Sequence, residues 1–194
     1  MNKSLLLFPF TLYLLSYSIY AQWLEASMIR HVLIQIPCLV LIGYLFAYQY
    51  LNTNRFLTLI NEKGLAGILL CIFIGGYWML PRALDAALLD PAVAFMKYIS
   101  LPFFVGIPLA ISWKKIHPIA RAVIKIEFLT MLFRLGWLYL VSPIRLCNFY
   151  QLNEQIILGK CFLIIAISLS LYWILQLFAE DYQEEVSEKN KLYG

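Results

Sequence analysis

From Ser4 to Leu24 no side chain is charged, and the same absence recurs between His31 and Arg55, from Gly64 to Pro81 and from Cys161 to Ala179. A further run, Ala92 to Trp113, is interrupted only by Lys97. Charge at mid-bilayer is costly, so the positions of Asp, Glu, Lys and Arg outline where a chain can cross a membrane. Each run is long enough to span as a helix rising about 1.5 Å per residue, and a helix satisfies its own backbone groups in lipid. Composition agrees: 62% of the 194 residues are hydrophobic and 13% charged, against roughly 25% charged in a soluble domain. A soluble globular domain, a disordered chain and a disulfide-stapled secreted module are excluded together. The net charge of +4 is spread over short connections, so a nucleic-acid partner is not expected.

The segment from Ile119 to Val141 is apolar but carries Arg121, Lys125, Glu127 and Arg134. Arg121 and Lys125 occupy its first two turns, from which they can snorkel to the interface. Glu127, Met131 and Arg134 share one helical face. They read either as intramembrane charges holding the bundle together or as a pair lining a cavity or meeting a partner. Counting this segment, the expectation is an all-α polytopic bundle forming one domain over residues 1–179. Six spans are expected, near 4–24, 31–51, 64–81, 92–113, 119–141 and 157–179. Residues 180–194 form a charged tail, expected to be solvated and frayed on the cytoplasmic side. The first segment also resembles a signal peptide ending at Ala21, with retention as a helix preferred.

With the N-terminus inside, nine basic residues face the cytoplasm: Lys3, Arg55, Lys63, Lys114, Lys115, Arg121, Lys125, Lys189 and Lys191. Five face outward: Arg30, Arg82, Lys97, Arg145 and Lys160. This asymmetry favours an N-in, C-in chain in a bacterial inner membrane.

That topology gathers the chemically interesting residues at the outer face. Met28, His31, Gln35 and Cys38 recur on one face of the second span, and thioether, imidazole and thiol groups suit copper(I). The same residue types also serve as packing groups and as hydrogen-bonding partners. Asp85 and Asp90 lie in an expected outer loop, residues 82–91. Asp90 before Pro91 reads as a helix N-cap; Asp85 has no such account, and pairing with Arg82 or Lys97 is the alternative to a functional role. Cys147 and Cys161 lie near the outer face and their pairing is open. There is no phosphate loop, Ser-His-Asp grouping or HExxH motif, so no enzyme is expected.

Several short motifs resemble those of the CtaG-type cytochrome c oxidase assembly factors. Ser27-Met28-Ile-Arg-His31, with Pro37 and Gly43, is similar to that family's His-Met-x-x-His helix start. Trp78-Met79-Leu80-Pro81 with Asp85-Ala-Ala-Leu88 resembles its Trp-His-x-Pro and Asp-Ala-Ala-Leu. Lys97-Tyr98-Ile99-Ser100 falls where the family has Glu-His-x-Ser, and Asn153-Glu154-Gln155 with Gly159 resembles its Asp-Gln and Gly. Ser27, Met79 and Tyr98 replace family histidines, leaving His31. The resemblance implies an assembly factor for a heme–copper oxidase or other copper protein. It would work with an oxidase subunit or other client, either handling transient copper(I) or scaffolding its insertion. A copper rim would comprise His31, Met28, Met79 and Met96, with Asp85, Glu154 and Gln155 as further polar residues. Two other readings stay open: a structural accessory subunit whose contacts are Glu127 and Arg134, and a small-solute transporter.

Overall fold

The computed structural model describes residues 20–50 and 61–193, with side chains described over 20–49 and 61–178. Among these residues the regular structure is helical throughout. Seven helices follow in order: α1 (Ala21–Glu25), α2 (Met28–Gln49), α3 (Leu65–Trp78), α4 (Pro81–Leu89), α5 (Pro91–Ser112), α6 (Pro118–Val141) and α7 (Leu152–Tyr193).

Three helices are long and apolar enough to cross a membrane: α2, α5 and the Leu152–Phe178 part of α7. The pair α3 and α4, bent by 69° at Met79-Leu80, makes a fourth if counted as one span. Most of the expected span 4–24 lies outside the described residues. Residues 119–141 form a helix as expected, but with its four charges α6 is not among the three. The chain is a multi-pass membrane protein by this measure. Its exterior agrees, because Phe73, Leu175 and Phe178 stand outward on their helices where lipid, not water, is the matching solvent.

Helices α2 and α5 cross closely. A Cβ on Gly43 would meet the Pro102 carbonyl, and one on Gly106 would meet the Val40 carbonyl. Small residues allow this approach, as is common where membrane helices pack. Both helices widen into a π turn, His31–Gln35 in α2 and Leu101–Gly106 in α5. Pro37 lies two residues after the first and Pro102 within the second, each lacking the N–H that a regular α turn would use. The wide turn absorbs the missing bond without breaking the helix.

Two expectations are corrected here. Residues 82–91 were expected as a loop, yet Pro81–Leu89 form α4, with Pro81 at its first position after extended Leu80. Its Ala and Leu residues are strong helix formers, and Ala83, Leu84 and Ala87 bury one face. The tail was expected to fray, but α7 remains helical to Tyr193. The Asp90 cap is as expected: its Oδ1 accepts from the Ala92 N–H at 2.8 Å, with Pro91 next.

Helix α6 packs on α7 through Leu132, Gly136 and Tyr139. A Cβ on Gly159 would stand 3.0 Å from the Gly136 carbonyl oxygen. The start of α7 also packs against the start of α2. The starts of α2, α5 and α7 and the ends of α3 and α6 therefore share one end of the bundle.

Candidate functional site

At that end lies a cluster of polar side chains inside an apolar shell. His31, Gln35 and Lys97 are fully buried, and Tyr98 and Tyr150 nearly so. The π turn of α2 carries His31 and Gln35, four residues apart, on its buried side. The first half of α5 supplies Lys97 and Tyr98, the end of α1 supplies Glu25, and the segment before α7 supplies Tyr150.

The hydrogen bonds form a closed account. The three protons of the Lys97 ammonium go to Glu25 Oε1 at 2.7 Å, His31 Nε2 at 3.0 Å and Gln35 Oε1 at 3.1 Å. Because Lys97 only donates, His31 Nε2 must be the acceptor, which places the imidazole proton on Nδ1. That proton goes to the Tyr150 hydroxyl at 2.8 Å, and Tyr150 donates in turn to the Glu25 backbone carbonyl, also at 2.8 Å. Gln35 Nε2 donates to Glu25 Oε1 and to the Tyr98 hydroxyl, and Tyr98 donates to Glu25 Oε1 at 3.0 Å. One carboxylate oxygen thus receives three donors.

Burial alone would raise the Glu25 pKa, but the Lys97 charge and the hydrogen bonds from Lys97, Gln35 and Tyr98 hold it below the ordinary carboxylate range. Tyr150 is pushed above its usual value by burial and by the Glu25 charge.

A second set of bonds closes the same end. The segment 142–151 between α6 and α7 folds over α4: Asn148 and Phe149 donate their backbone N–H groups to the two oxygens of Asp85, at 2.6 and 3.4 Å. Gln155 accepts from the Leu146 N–H at 2.8 Å and donates to the Tyr139 and Ile144 carbonyls. Cys147 is buried there with its thiol toward the Pro81 carbonyl, and burial with the neighbouring Asp85 raises its pKa to about 12. Cys147 and Cys161 are both free thiols. Trp78 Nε1 donates to Ser100 Oγ at 2.7 Å, tying α3 to α5.

The residues singled out in the sequence divide. Met28 is fully buried in the core beside the cluster, Met79 is half-buried, and Met96 is 63% exposed on α5. Contrary to the pairing with Arg82 or Lys97 offered by the sequence, Asp85 accepts from the loop amides of Asn148 and Phe149. Gln155 is buried and structural, and Glu154 is half-buried at the start of α7. Glu127 and Arg134 form a loose pair at 3.8 Å with both side chains well exposed. Glu25 and Tyr150 were missed. The signal was available for Glu25, because a lone Lys97 in an apolar run demands a buried acid and Glu25 directly precedes the second span. Nothing in the order of residues brings Tyr150 to His31, 119 positions away.

The proposed copper ligands do not fit a metal. Both His31 nitrogens are engaged, Nδ1 by the Tyr150 hydroxyl and Nε2 by the Lys97 ammonium, which leaves neither nitrogen free for a cation. Tyr98 is bound within the cluster, and Met96 points away from it into the surroundings. Among the described residues no group of three or more His, Cys, Asp or Glu is arranged to hold a metal ion.

Comparison of the chain with family models, curated proteins and solved structures gives no significant match.

Proposed function

We propose that this protein is an integral membrane assembly factor for a heme–copper oxidase or another copper protein. In this reading it acts as a scaffold at the outer face of a bacterial inner membrane, in an N-in, C-in arrangement of six spans. One observation carries the reading. Most of the motif positions that resemble the oxidase assembly factors, scattered from Ser27 to Gln155, lie toward one end of the bundle, while Gly43 lies at the crossing of α2 and α5. His31, Lys97, Tyr98 and the Trp78–Ser100 bond lie there, together with the Asp85 clamp.

The chemistry of the cluster favours scaffolding over copper handling. A transient metal site needs lone pairs that solvent or a client can reach, whereas His31 is locked by Tyr150 and Lys97. The Lys97 cation stands where a histidine-rich relative would present an acid, and its charge opposes a second cation nearby. The same saturation favours, as a second reading, an accessory subunit that remains in a membrane complex.

The test is removal of the protein from its host, followed by difference spectra of the heme–copper oxidase and copper analysis of the membranes. The expected result is a several-fold loss of assembled oxidase, restored by the wild-type chain and equally by a Met28→Leu, Met79→Leu, Met96→Leu variant. Restoration by wild type alone, with the variant folded, would return the role to copper handling. Unchanged oxidase content would remove the assembly reading.

A further inference from the structure

Helix α6 has two faces. Leu132, Gly136 and Tyr139 are buried on the side that packs on α7. On the opposite side lie Val123, Glu127, Thr130, Arg134, Trp137 and Val141, in steps of four, three, four, three and four. This alternation is the 3.5-residue seam by which one helix packs along another. The seam is open: Val123, Trp137 and Val141 are each more than half exposed, as are the Glu127 and Arg134 side chains. Thr130 is turned inward along the helix, its hydroxyl donating to Glu127 at 2.9 Å on the carbonyl and 3.3 Å on Oε2.

We propose that this seam docks one transmembrane helix of a different membrane protein, bearing a cationic residue at the depth of Glu127 and a carboxylate at the depth of Arg134. The argument is charge complementarity at fixed register. Glu127 and Arg134 stand seven residues, about 10 Å, apart along the axis; they approach each other at one contact of 3.8 Å, and both side chains stay well exposed. In the six-span reading α6 lies in the bilayer, where charges facing hydrocarbon are destabilising and need partners in the bundle or in a complex. Polar residues on a packing seam fix register and partner at a cost in stability. A second copy in the same orientation would set Glu127 against Glu127 and Arg134 against Arg134, a like-charge arrangement that disfavours self-association. The occupant is therefore a foreign helix with the reciprocal charges.

This inference rests on the scaffold reading and names the surface by which a client would be held. A photo-crosslinking residue in place of Trp137, in full-length protein in native membranes, would probe the seam, with Leu175 on α7 as the lipid-facing control. The expected product is a heteromeric adduct at 137 and none at 175. Its partner, identified by mass spectrometry, should carry a basic and an acidic residue two turns apart in one span. Glu127→Lys with Arg134→Glu should lower the yield by about tenfold, and reciprocal reversal in the partner should restore it. Both side chains are exposed, so the double variant should keep the wild-type melting temperature in detergent. Absence of an adduct, an adduct with a second copy, or indifference to charge reversal would overturn the docking surface. If a charge-dependent adduct forms but oxidase content is unchanged on removing the protein, the docking inference stands and the oxidase assignment fails.

Discussion

Lys97 is the residue on which the buried cluster depends. Its ammonium is fully buried and spends all three protons on Glu25, His31 and Gln35. Replacing Lys97 by Ala would strand a carboxylate and an imidazole lone pair in the bundle, a change that typically costs about 3–5 kcal/mol for a buried ion pair. The expected outcome is a large drop in melting temperature in detergent, partly recovered by Lys97→Met combined with Glu25→Gln, which removes both charges together. The acid limb follows from Glu25. Its folded-state pKa is depressed, so the unfolded chain holds the carboxyl proton more tightly than the folded one. The stabilisation is complete above the ordinary value of 4.5 and is lost as pH falls below it toward the folded-state pKa. The Glu25 contribution therefore predicts thermal melts that decline as pH falls below 4.5. A Glu25→Gln protein that declines equally would show that another group governs the acid limb.

Among the elements, α2 and α5 set the frame, because their crossing leaves no room for a methyl group at Gly43 or Gly106. Gly106→Ala would push against the Val40 carbonyl and the Gly43 backbone, and overpacking of this kind costs about 1–3 kcal/mol. Gly75 on α3 makes the opposite case, since a Cβ there meets nothing within 4 Å. Gly75→Ala should be neutral or stabilising by up to about 1 kcal/mol, the intrinsic helix preference of Ala over Gly. Melting temperatures of the two variants, measured side by side, check the crossing; equal effects would mean that α2 and α5 do not meet through these glycines. The π turns belong to the same frame. They keep His31, Gln35 and Lys97 on the inner sides of helices that Pro37 and Pro102 would otherwise kink.

For the whole molecule, the two ends differ in character. One is closed by Asp85, Gln155 and the 142–151 segment. The other carries Lys114, Lys115, Arg121 and Lys125, with Lys114 over Tyr48, Arg121 over Trp113 and Lys125 over Trp173, a pairing of cations and aromatics suited to an anionic headgroup layer. The N-in, C-in proposal predicts that Ile144→Cys is labelled by an impermeant maleimide from outside intact cells and Lys114→Cys only after permeabilisation. The reverse pattern would invert the topology. Cys147, buried and with its thiol pKa raised to about 12, should stay unlabelled until the protein is denatured. Much of this was legible in one dimension. Runs free of charge, or in α5 broken only by Lys97, marked α2, α3, α5 and the apolar part of α7, because the cost of a charge in lipid acts on each residue separately and leaves its trace in the order of residues. The Asp90 cap was legible for a similar reason, since a cap and its helix are neighbours in the chain. The partner of Lys97, the lock on His31 and the work of Asp85 were not. Each depends on groups from segments 63 to 119 residues apart, and only the crossing of the helices decides which donor meets which acceptor.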